Sequence, residues 1–549
     1  MHGKRLRADM DQKNKYIKYL PILFSVVLII GILVGSRLTP VSTSGKGLFN
    51  IDLSHYDKLS DMVNYITREY VDSVSREDLT EEAIDGILTH LDPHSQYIPA
   101  EDFHDVNDPL IGNFEGIGIQ FRIEDDTIMV VRPIPGGPSE KVGLMAGDRI
   151  VTVDDSLIAE NGVTDQTAMS LLKGKRGTKV KVGIYRRGID GLLDFEITRD
   201  VIPTFSVDVY FMPADSVGYV KVSKFSATTF DEFVNATDNL KNRGMTKLIL
   251  DLRQNSGGYL QAAIDMADEF LEKGKLIVYT EGRNQPRETF YATKSGNLED
   301  VELIILIDGG TASASEIVAG AIQDNDRGLI VGRRSFGKGL VQRQLDFIDG
   351  SALRLTIARY YTPTGRCIQK PYNAKEGFEE YYEESYHRYE NGELQVKDSI
   401  HFNDSLKFVT PGGKVVYGGG GIMPDVFIPL VKDKKWVYFN TLANKGLIFR
   451  YAFEYTDKNR NRLKKFDTFE KFDSEFEIDD NFFNDFLKYA KNKGVKTDAD
   501  GLKYSRDRIK ILLKAYIARN LFDDKGFYPI YLRIDDAFNK SLEIFSEEK

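Results

Sequence analysis

Three polar side chains between residues 311 and 342 have the types and the spacing to activate a serine without histidine. Ser313 follows an apolar run and a Gly-Gly turn, and it begins a segment with helical periodicity. Lys338 stands 338 − 313 = 25 residues later, and Gln342 follows four residues after it. None of the seven histidines lies between residues 105 and 386, so Lys338 is the local alternative to an imidazole from a distant segment.

Ser313 is expected at a strand-to-helix junction, near the positive end of the following helix. An oxyanion formed there would meet free backbone N–H groups, which favours a nucleophile at this position. Serine also caps helices well, so a structural N-cap is the competing interpretation. Ser315, which Glu316 follows, fits a purely structural serine better.

A lysine acts as a base only when it is neutral, which requires a lowered pKa. The ordinary value of about 10.4 must fall by roughly 3 units, at a cost of about 4 kcal/mol, and burial is able to lower it. In a strand that begins at KGLVQ, Lys338 and Gln342 share one face. The uncharged Gln342 amide can hold the amine, whereas an aspartate would stabilise the ammonium form. The competing interpretation of Lys338 is a lysine on the solvent-exposed surface.

The elements that would position these side chains have the order of an α/β domain. Three continuous apolar runs are typical of strands covered on both faces: KLILDLR, ELIILID and GLIVG. The intervening runs AAIDMADEFL and SEIVAGAIQ have helical periodicity. A hairpin is predicted around Asp349 and Gly350. Gly257 and Gly258 follow the first strand, where they permit a tight turn and a close approach of the backbone to a substrate.

The rest of the chain divides into modules of different periodicity. Residues 51–104 are predicted to form short helices, and residues 105–200 a small β-rich module with one helix. The α/β region spans 204–430 and contains an acidic, tyrosine-rich segment, 373–410, which is expected to be a solvated surface insertion. Residues 432–549 are predicted to be a helical extension that packs rather than catalyses.

Composition excludes several classes of protein. The chain has 549 residues, which suggests three or four domains at roughly 100–200 residues each. Its net charge of −10 argues against a general nucleic-acid binder. Cys367 is the only cysteine, so a disulfide framework is excluded and a cysteine-based zinc site is not expected. The segment 457–468 begins like a calcium loop but lacks its glycine and its glutamate, and no metal is expected.

The N-terminal region predicts a membrane anchor. Basic residues in segment 1–18 precede an uncharged run, Tyr19–Ser36, which Arg37 closes. The run has 36 − 19 + 1 = 18 residues, and about 17–25 residues span a bilayer as a helix. Positive charge before the run keeps that end in the cytoplasm, so the remainder is predicted to be exported. We expect an uncleaved anchor at 19–37, with a cleaved signal peptide as the alternative.

A series of motifs resembles the C-terminal processing peptidases, also called tail-specific proteases. The motifs lie in the family's order within about residues 55–430. They are LDPHSQYIP, GIGIQF, GLMAGDRIVTVDD, DLRQNSGG, TASASEI, FGKGLVQ, YYTPTGRCIQ and GIMPD. The resemblance implies a multidomain α/β protein with a ClpP/crotonase-like ββα core and with no cofactor.

The same resemblance implies the roles of individual residues. Ser313 takes the place of the nucleophile, Lys338 that of the base, and Gln342 that of the residue that positions the lysine. The oxyanion hole would combine the backbone amide of Ala314 with that of one of the paired glycines, Gly257 and Gly258.

The 105–200 module resembles a PDZ domain with the bacterial strand order. In the family this module selects substrates by their C-terminus and gates the active site. Its carboxylate-binding loop, whose successive N–H groups bind a chain-terminal carboxylate, would consist of Gly116, Ile117, Gly118 and Ile119. Many relatives have an arginine that takes part in the gating where this chain has Lys173.

The sequence therefore predicts a membrane-anchored serine endopeptidase of the bacterial envelope. It would cross the inner membrane once and keep its catalytic part in the periplasm. Its substrates would be proteins or peptides with apolar C-termini, an envelope adaptor protein or a second copy of the chain could be partners, and nucleic acid is not expected. Two alternatives stay open: a catalytically inactive PDZ-type binding scaffold, which the intact trio disfavours, and a crotonase-like acyl-transfer enzyme, which the peptide-binding module disfavours.

Overall fold

The computed structural model describes residues 25–27, 29–30, 57–293, 296–373, 378–400, 403–430 and 434–547. The predicted basic segment 1–18 and most of the predicted anchor 19–37 lie outside the described residues. In the part of the chain that is described, no helix is both long enough and apolar enough to cross a membrane.

The described residues fall into two units, one up to residue 80 and the other from residue 81 onward. The first unit contains helix α1, Lys58–Glu69, which begins after Asp57 because the carboxylate of that residue accepts the Ser60 N–H at 3.1 Å. Helix α2, Arg76–Leu88, begins in the first unit and ends in the second.

The strands are numbered in chain order. Before and within the β-rich module they are β1 Gln96–Ile98, β2 Asn113–Gly116, β3 Ile119–Ile123, β4 Ile128–Pro133, β5 Arg149–Val153, β6 Ser156–Leu157, β7 Lys179–Tyr185, β8 Leu192–Thr198 and β9 Asp200–Pro203. After it they are β10 Val207–Ala214, β11 Val217–Val222, β12 Lys247–Asp251, β13 Leu276–Glu281, β14 Glu288–Tyr291, β15 Glu302–Ile307, β16 Leu329–Gly332, β17 Leu340–Asp346, β18 Ala352–Tyr361, β19 Lys407–Val409, β20 Val415–Tyr417 and β21 Val426–Phe427.

The remaining α-helices are numbered in the same way. Up to the insertion they are α3 Phe103–Ile111, α4 Pro138–Val142, α5 Asp165–Leu172, α6 Thr229–Asn242, α7 Leu260–Asp268, α8 Ala314–Asp324 and α9 Glu379–Glu390. In the C-terminal extension they are α10 Val437–Asn444, α11 Leu447–Lys458, α12 Arg460–Leu463, α13 Phe469–Glu475, α14 Asp480–Asn492, α15 Ala499–Tyr531 and α16 Asp536–Glu547.

One sheet is the frame of the α/β region. Its order is β10-β11-β12-β15-β16-β21, and all neighbouring pairs except β10–β11 are parallel. The three predicted buried strands are β12, β15 and β16, so the α/β fold class is confirmed. Alternate side chains such as Leu250 and Ile305 pack against α6, α7 and α8, while Ile249 and Ile304 face a second apolar cluster.

A second, antiparallel sheet lies in the same region. Its order is β1-β18-β13-β14, and β17 also pairs with β18, which confirms the predicted hairpin. Lys338 stands two residues before β17, and Gln342 lies within it. Because β1 pairs with β18, the loop LDPHS that precedes β1 is brought to the same hairpin.

The β-rich module has its own sheet and its own core. The order is β3-β4-β5-β7-β8, with β6 paired to β5, and β2 pairs separately with β9. Apolar side chains of the strands and of α5 fill the interior, among them Ile119, Val130, Ile150 and Ala168. The β3 strand lies at one edge of this sheet, directly after the predicted carboxylate loop.

The tyrosine-rich insertion differs from the prediction of a solvated surface segment. Helix α9 buries Tyr381 and Arg388, whereas Tyr382 and Tyr386 on the other side are exposed. The Arg388 guanidinium donates to the carbonyl of Ser335 at 2.7 Å. The helix therefore packs on the segment that leads to Lys338. The sequence did not indicate which face of the helix is buried, because tyrosines lie on both faces.

The C-terminal extension is helical, as predicted. Helices α10 to α15 enclose an aromatic-rich core that includes Phe472, Phe483 and Phe486. The backbone leaves helical geometry within α15 at Phe522 and Asp523, which forms a kink. The last helix, α16, covers the second face of the central sheet.

Candidate active site

Ser313 lies at the junction between β15 and α8. It immediately precedes the first helical residue, Ala314, at the positive end of the helix dipole. Its backbone has φ 56° and ψ −115°, a conformation that costs a non-glycine residue on the order of 1–3 kcal/mol. The surrounding hydrogen bonds must hold the residue in this conformation, and such strain is typical of functional positions.

Lys338 is half-buried and its amine is held by Gln342. The Nζ atom donates to Gln342 Oε1 at 3.2 Å. Burial lowers the pKa of Lys338, and the nearby Arg354 guanidinium lowers it further, whereas Asp92 and Glu316 act in the opposite direction. A lowered pKa makes the neutral amine, which can accept a proton, more populated near neutral pH.

These side chains meet at one cavity. It has a volume of about 840 Å³. The structure brings all three members of the predicted trio to its wall, together with both paired glycines and the residue after the serine: Ser313, Lys338, Gln342, Gly257, Gly258 and Ala314. Within the described residues, no direct hydrogen bond joins the side chains of Ser313 and Lys338.

Glu316 is a buried carboxylate that ties the two halves of the site together. One oxygen accepts the backbone N–H of Ser313 at 2.8 Å and that of Lys338 at 2.9 Å. The other accepts the Gly337 N–H at 2.7 Å and the Ser335 hydroxyl. Burial raises the pKa of Glu316 to about 7, although these four donors act to lower it.

Sequence reasoning missed this carboxylate, although a signal was present. Ser313 and Glu316 have the S-x-x-E spacing of a capping box, in which the glutamate accepts the N–H of the capping residue. The further bonds to Gly337 and Lys338 join segments more than 20 residues apart in the chain, and no local pattern indicates them.

Tyr360 makes a second link between the same two segments. Its buried hydroxyl lies 2.7 Å from the Lys338 carbonyl oxygen and 3.1 Å from that of Ser313. Burial raises the pKa of this phenol, so it remains a neutral donor at physiological pH. The relative position of Ser313 and Lys338 is thus determined by a carboxylate on one side and by a phenol on the other.

The paired glycines differ in what their backbone amides do. The Gly257 N–H donates to Asn255 Oδ1 at 2.9 Å, whereas the N–H groups of Gly258 and Ala314 donate to no described residue. Gly258 has φ 143°, and a Cβ atom there would lie 1.9 Å from the carbonyl oxygen of Phe225. Glycine is therefore required at 258 on steric grounds, and Gly258 rather than Gly257 has the open amide.

The predicted carboxylate loop lies between β2 and β3. Gly116 ends β2, and Gly118 has φ 74°. A Cβ atom at Gly118 would lie 2.9 Å from Ile202 Cδ1, so a side chain would be crowded there as well. Ile117 and Ile119 are buried in the core of the module.

Lys173 joins this loop to the helix that leads to the cavity. Gly116 and Lys173 form an isolated β-bridge, and the Lys173 amine forms an ion pair with Asp105 on α3. Farther along α3, Asn107 lines the cavity and its Oδ1 accepts from Arg354 at 3.1 Å. One helix therefore contacts both the β-rich module and the guanidinium beside Lys338.

Models of known protein families match successive parts of the chain. The activating protease CtpB N-terminal domain matches residues 40–102, and the PDZ domain matches residues 116–197. Peptidase family S41 matches residues 216–377. A family of unknown function (DUF8443) matches residues 438–523.

Curated relatives are similar over most of their length. The carboxy-terminal-processing protease of Bartonella bacilliformis is 42% identical over 317 residues, which is 57% of this chain and 72% of the relative. The carboxy-terminal processing protease CtpA of Bacillus subtilis is 35% identical over 354 residues, which is 63% of this chain and 75% of the relative. A solved photosystem II D1 C-terminal processing protease has 26% identity and a TM-score of 0.35, with 68% of this chain and 92% of that chain covered.

Proposed function

The chain belongs to the carboxy-terminal processing peptidases of family S41, and from its geometry we propose that it cleaves proteins with a Ser313–Lys338 dyad. As a member it is a serine-type peptidase with a PDZ domain. The observation that carries the finer proposal is the meeting, at one cavity, of a serine, a lysine with a lowered pKa and two open backbone amides.

In the first step Ser313 becomes acylated. Neutral Lys338 accepts the hydroxyl proton while Oγ forms a bond to the carbonyl carbon of the scissile peptide. Their direct contact forms as the peptide binds, since catalytic hydrogen bonds often tighten only in the complex. The tetrahedral intermediate collapses when its C–N bond breaks, and the Lys338 ammonium returns the proton to the leaving amine. An ester between Ser313 and the acyl fragment remains.

The oxyanion of this intermediate is stabilised by backbone donors. The Gly258 and Ala314 amides are open and lie at the cavity, at the start of α7 and α8. Preorganised donors aimed at a developing negative charge give large rate effects in a water-poor site. We therefore assign the hole to these two amides, and Gly257 supports the turn through its bond to Asn255.

Water completes the turnover. Lys338, neutral again after the amine has left, takes a proton from a water molecule that attacks the ester carbonyl. The C–Oγ bond then breaks, and the same proton returns to Ser313. No additional base is required, because one amine serves both halves of the reaction.

Recognition of apolar C-terminal tails is assigned to the PDZ domain. The N–H groups of the loop at 116–119 would bind the terminal carboxylate, and an extended tail would pair with the edge strand β3. Apolar side chains of the tail would contact the partly buried Phe121 and Ile123 beside α5.

A location in the bacterial envelope is part of the proposal. Its support is the uncharged run from Tyr19 to Ser36 with basic residues before it. Separation of cells into membrane and soluble fractions, followed by protease treatment of spheroplasts, tests it. The full chain should be found in membranes and should be digested from the outside, and recovery of an intact chain in the cytosol would contradict the anchor.

The test of the dyad uses the full chain in detergent and an unstructured reporter protein with an apolar C-terminal tail. Ser313→Ala and Lys338→Ala should each lose cleavage by at least about a thousandfold. Lys435→Ala, a change in the C-terminal extension, is the matched control and should cleave normally. Cleavage that survives in Ser313→Ala would overturn the assignment.

A reporter with a charged C-terminal tail tests the PDZ role. At low reporter concentration it should be cleaved more slowly than the reporter with the apolar tail.

A further inference from the structure

The inner face of the insertion helix α9 reaches the loop before β1. Tyr381 is 4% exposed, and its ring centroid lies 5.4 Å from that of His94 and 5.9 Å from that of Phe336. Its hydroxyl oxygen lies 2.8 Å from His94 Nε2. Gln369 Nε2, which can only donate, lies 3.5 Å from the same oxygen. The Tyr381 O–H is therefore assigned as a donor to His94, with the imidazole proton on Nδ1.

His94 is held in place by Asp92. The Asp92 carboxylate accepts the backbone N–H of His94 at 2.9 Å and that of Ser95 at 3.0 Å. Burial, and secondarily the charge of Lys338, lowers the pKa of His94 to about 4. The ring is thus neutral at physiological pH and can accept the Tyr381 hydroxyl.

The backbone carbonyl of His94 determines which way the Gln342 amide points. That carbonyl accepts from Gln342 Nε2, and a carbonyl cannot donate. The amide oxygen of Gln342 must therefore face Lys338 Nζ, 3.2 Å away. In this orientation the amide oxygen accepts an N–H from the neutral Lys338 amine, and the lone pair of the amine stays free for the Ser313 hydroxyl proton. In the reversed orientation the amide NH₂ would donate to that lone pair and block it.

We propose that Tyr381 is a positioning residue for the base: through His94 and Gln342 it maintains the amide orientation that leaves the lone pair of Lys338 free. The proposal rests on the proposed role of Lys338. It gives the insertion helix α9 a function in the chemistry, although no residue of that helix lines the cavity.

The surroundings of Lys338 allow this effect to be distinguished from a general loosening of the site. The titratable groups that act on its amine are Arg354 on β18, Asp92 before β1 and Glu316 on α8. Loss of burial would raise the pKa of Lys338 toward its ordinary value, and activity would return at high pH. A reversed amide instead donates to the neutral amine, so activity would fall at every pH.

The test compares Tyr381→Phe with Tyr386→Phe in the full chain. Tyr386 is exposed on the same helix and serves as the matched control. Because one neutral hydrogen bond is lost, we expect Tyr381→Phe to lower kcat about 3- to 10-fold with KM unchanged, across the whole pH range. Tyr386→Phe should match the wild type. Full recovery of Tyr381→Phe at high pH, or an equal loss in Tyr386→Phe, would overturn the proposal.

A double-mutant cycle tests the path through the imidazole. His94→Leu removes the acceptor of the Tyr381 hydroxyl but keeps the backbone carbonyl. If the two side chains act as one unit, the double variant should lose no more activity than the worse single variant. Losses that multiply would show that Tyr381 acts by another route and would overturn the proposal.

A measurement without turnover separates this proposal from the dyad. The ¹⁵Nζ resonance of Lys338, assigned by its loss in Lys338→Met, reports the titration of the amine directly. In Tyr381→Phe it should titrate at or below the wild-type pH and change its chemical shift, while Tyr386→Phe leaves both unchanged. A resonance unaffected by Tyr381→Phe overturns the positioning role, whatever Ser313→Ala does to cleavage.

Discussion

Charged side chains are placed differently in the candidate active-site cavity and in the contact between the PDZ domain and the C-terminal extension. At the cavity, Glu316 is buried and Lys338 half-buried, and neither forms an ion pair with a described residue. At the contact, Arg132 of the PDZ domain pairs with Asp523 at the kink in α15, and the two side chains keep 26% and 45% of their surface exposed. Arg122 lies 4.6 Å from the ring of Phe449 in the same contact.

This difference fits a role in proton transfer for the charged groups at the cavity and a role in domain contact for the others. Burial without a counter-ion shifts the pKa of an ionisable group toward neutral values, and proton transfer near neutral pH requires such a pKa. Partly exposed pairs such as Arg132–Asp523 are screened by salt, so each stabilises a contact only slightly. The comparison predicts large effects of single substitutions at the cavity and small ones at the contact.

Among Glu316, Arg354 and Arg132, removal of the charge should have its largest effect at Glu316. In Glu316→Gln, the substituted side chain lacks the negative charge that accepts the N–H groups of Ser313 and Lys338. At about 1.5–3 kcal/mol for each of these two bonds, we expect kcat/KM to fall by roughly a hundredfold or more. Glu383→Gln on the exposed face of α9 should behave as the wild type. Normal cleavage by Glu316→Gln would show that a buried charge is not needed to hold the dyad.

The same carboxylate should give the stability a particular pH dependence. Its pKa is raised from 4.5 to about 7, so between those values the folded protein binds more protons than the unfolded chain. The free energy of unfolding should therefore decrease as pH rises through this window, by about 3 kcal/mol in all, and Glu316→Gln should lack this change. Urea unfolding of both proteins at pH 4.5 and pH 7.5 measures the difference, and parallel curves would contradict the burial of an unpaired carboxyl.

Arg354→Met should have an intermediate effect of a different kind. The Arg354 cation lowers the pKa of Lys338, so its removal raises that pKa and moves the acid limb of the activity profile to higher pH. At neutral pH the rate should fall several-fold, and it should return at high pH. Arg359→Met, an exposed arginine on the same strand, is the control. A loss at neutral pH that alkaline conditions do not restore would mean that Arg354 has another role.

Arg132→Ala should have the smallest effect. A partly exposed pair of this kind contributes about 0–1 kcal/mol, and salt screens it. Urea unfolding at low and at high ionic strength should show a small loss that disappears in salt, with kcat changed less than twofold. A loss of several kcal/mol would indicate that this contact behaves like the buried site.

The parts of the molecule that sequence patterns predicted are those with local signals. Apolar runs predicted β12, β15 and β16, and the motif order predicted that Ser313 and Lys338 meet. The bonds from Glu316 to Gly337 and Lys338, and the bond from Gln342 to the His94 carbonyl, escaped prediction because they join distant segments and depend on the final packing. The prediction that the insertion is solvated was wrong for the insertion helix, because one buried tyrosine, Tyr381, lies among several exposed tyrosines.

The position of α16 has a consequence for how the protein is made. Helix α16 is synthesised well after the strands that it covers: Phe538 and Phe545 cover the face of the central sheet that contains Ile249 and Ile304. A nascent chain emerges from the ribosome N-terminus first, and domains that are complete early can fold during synthesis. Here one face of the sheet beneath Ser313 stays open until the residues of α16 have been synthesised. A ribosome that stalls before α16 would leave an apolar surface exposed, and such truncated chains should be bound by chaperones rather than accumulate as folded protease.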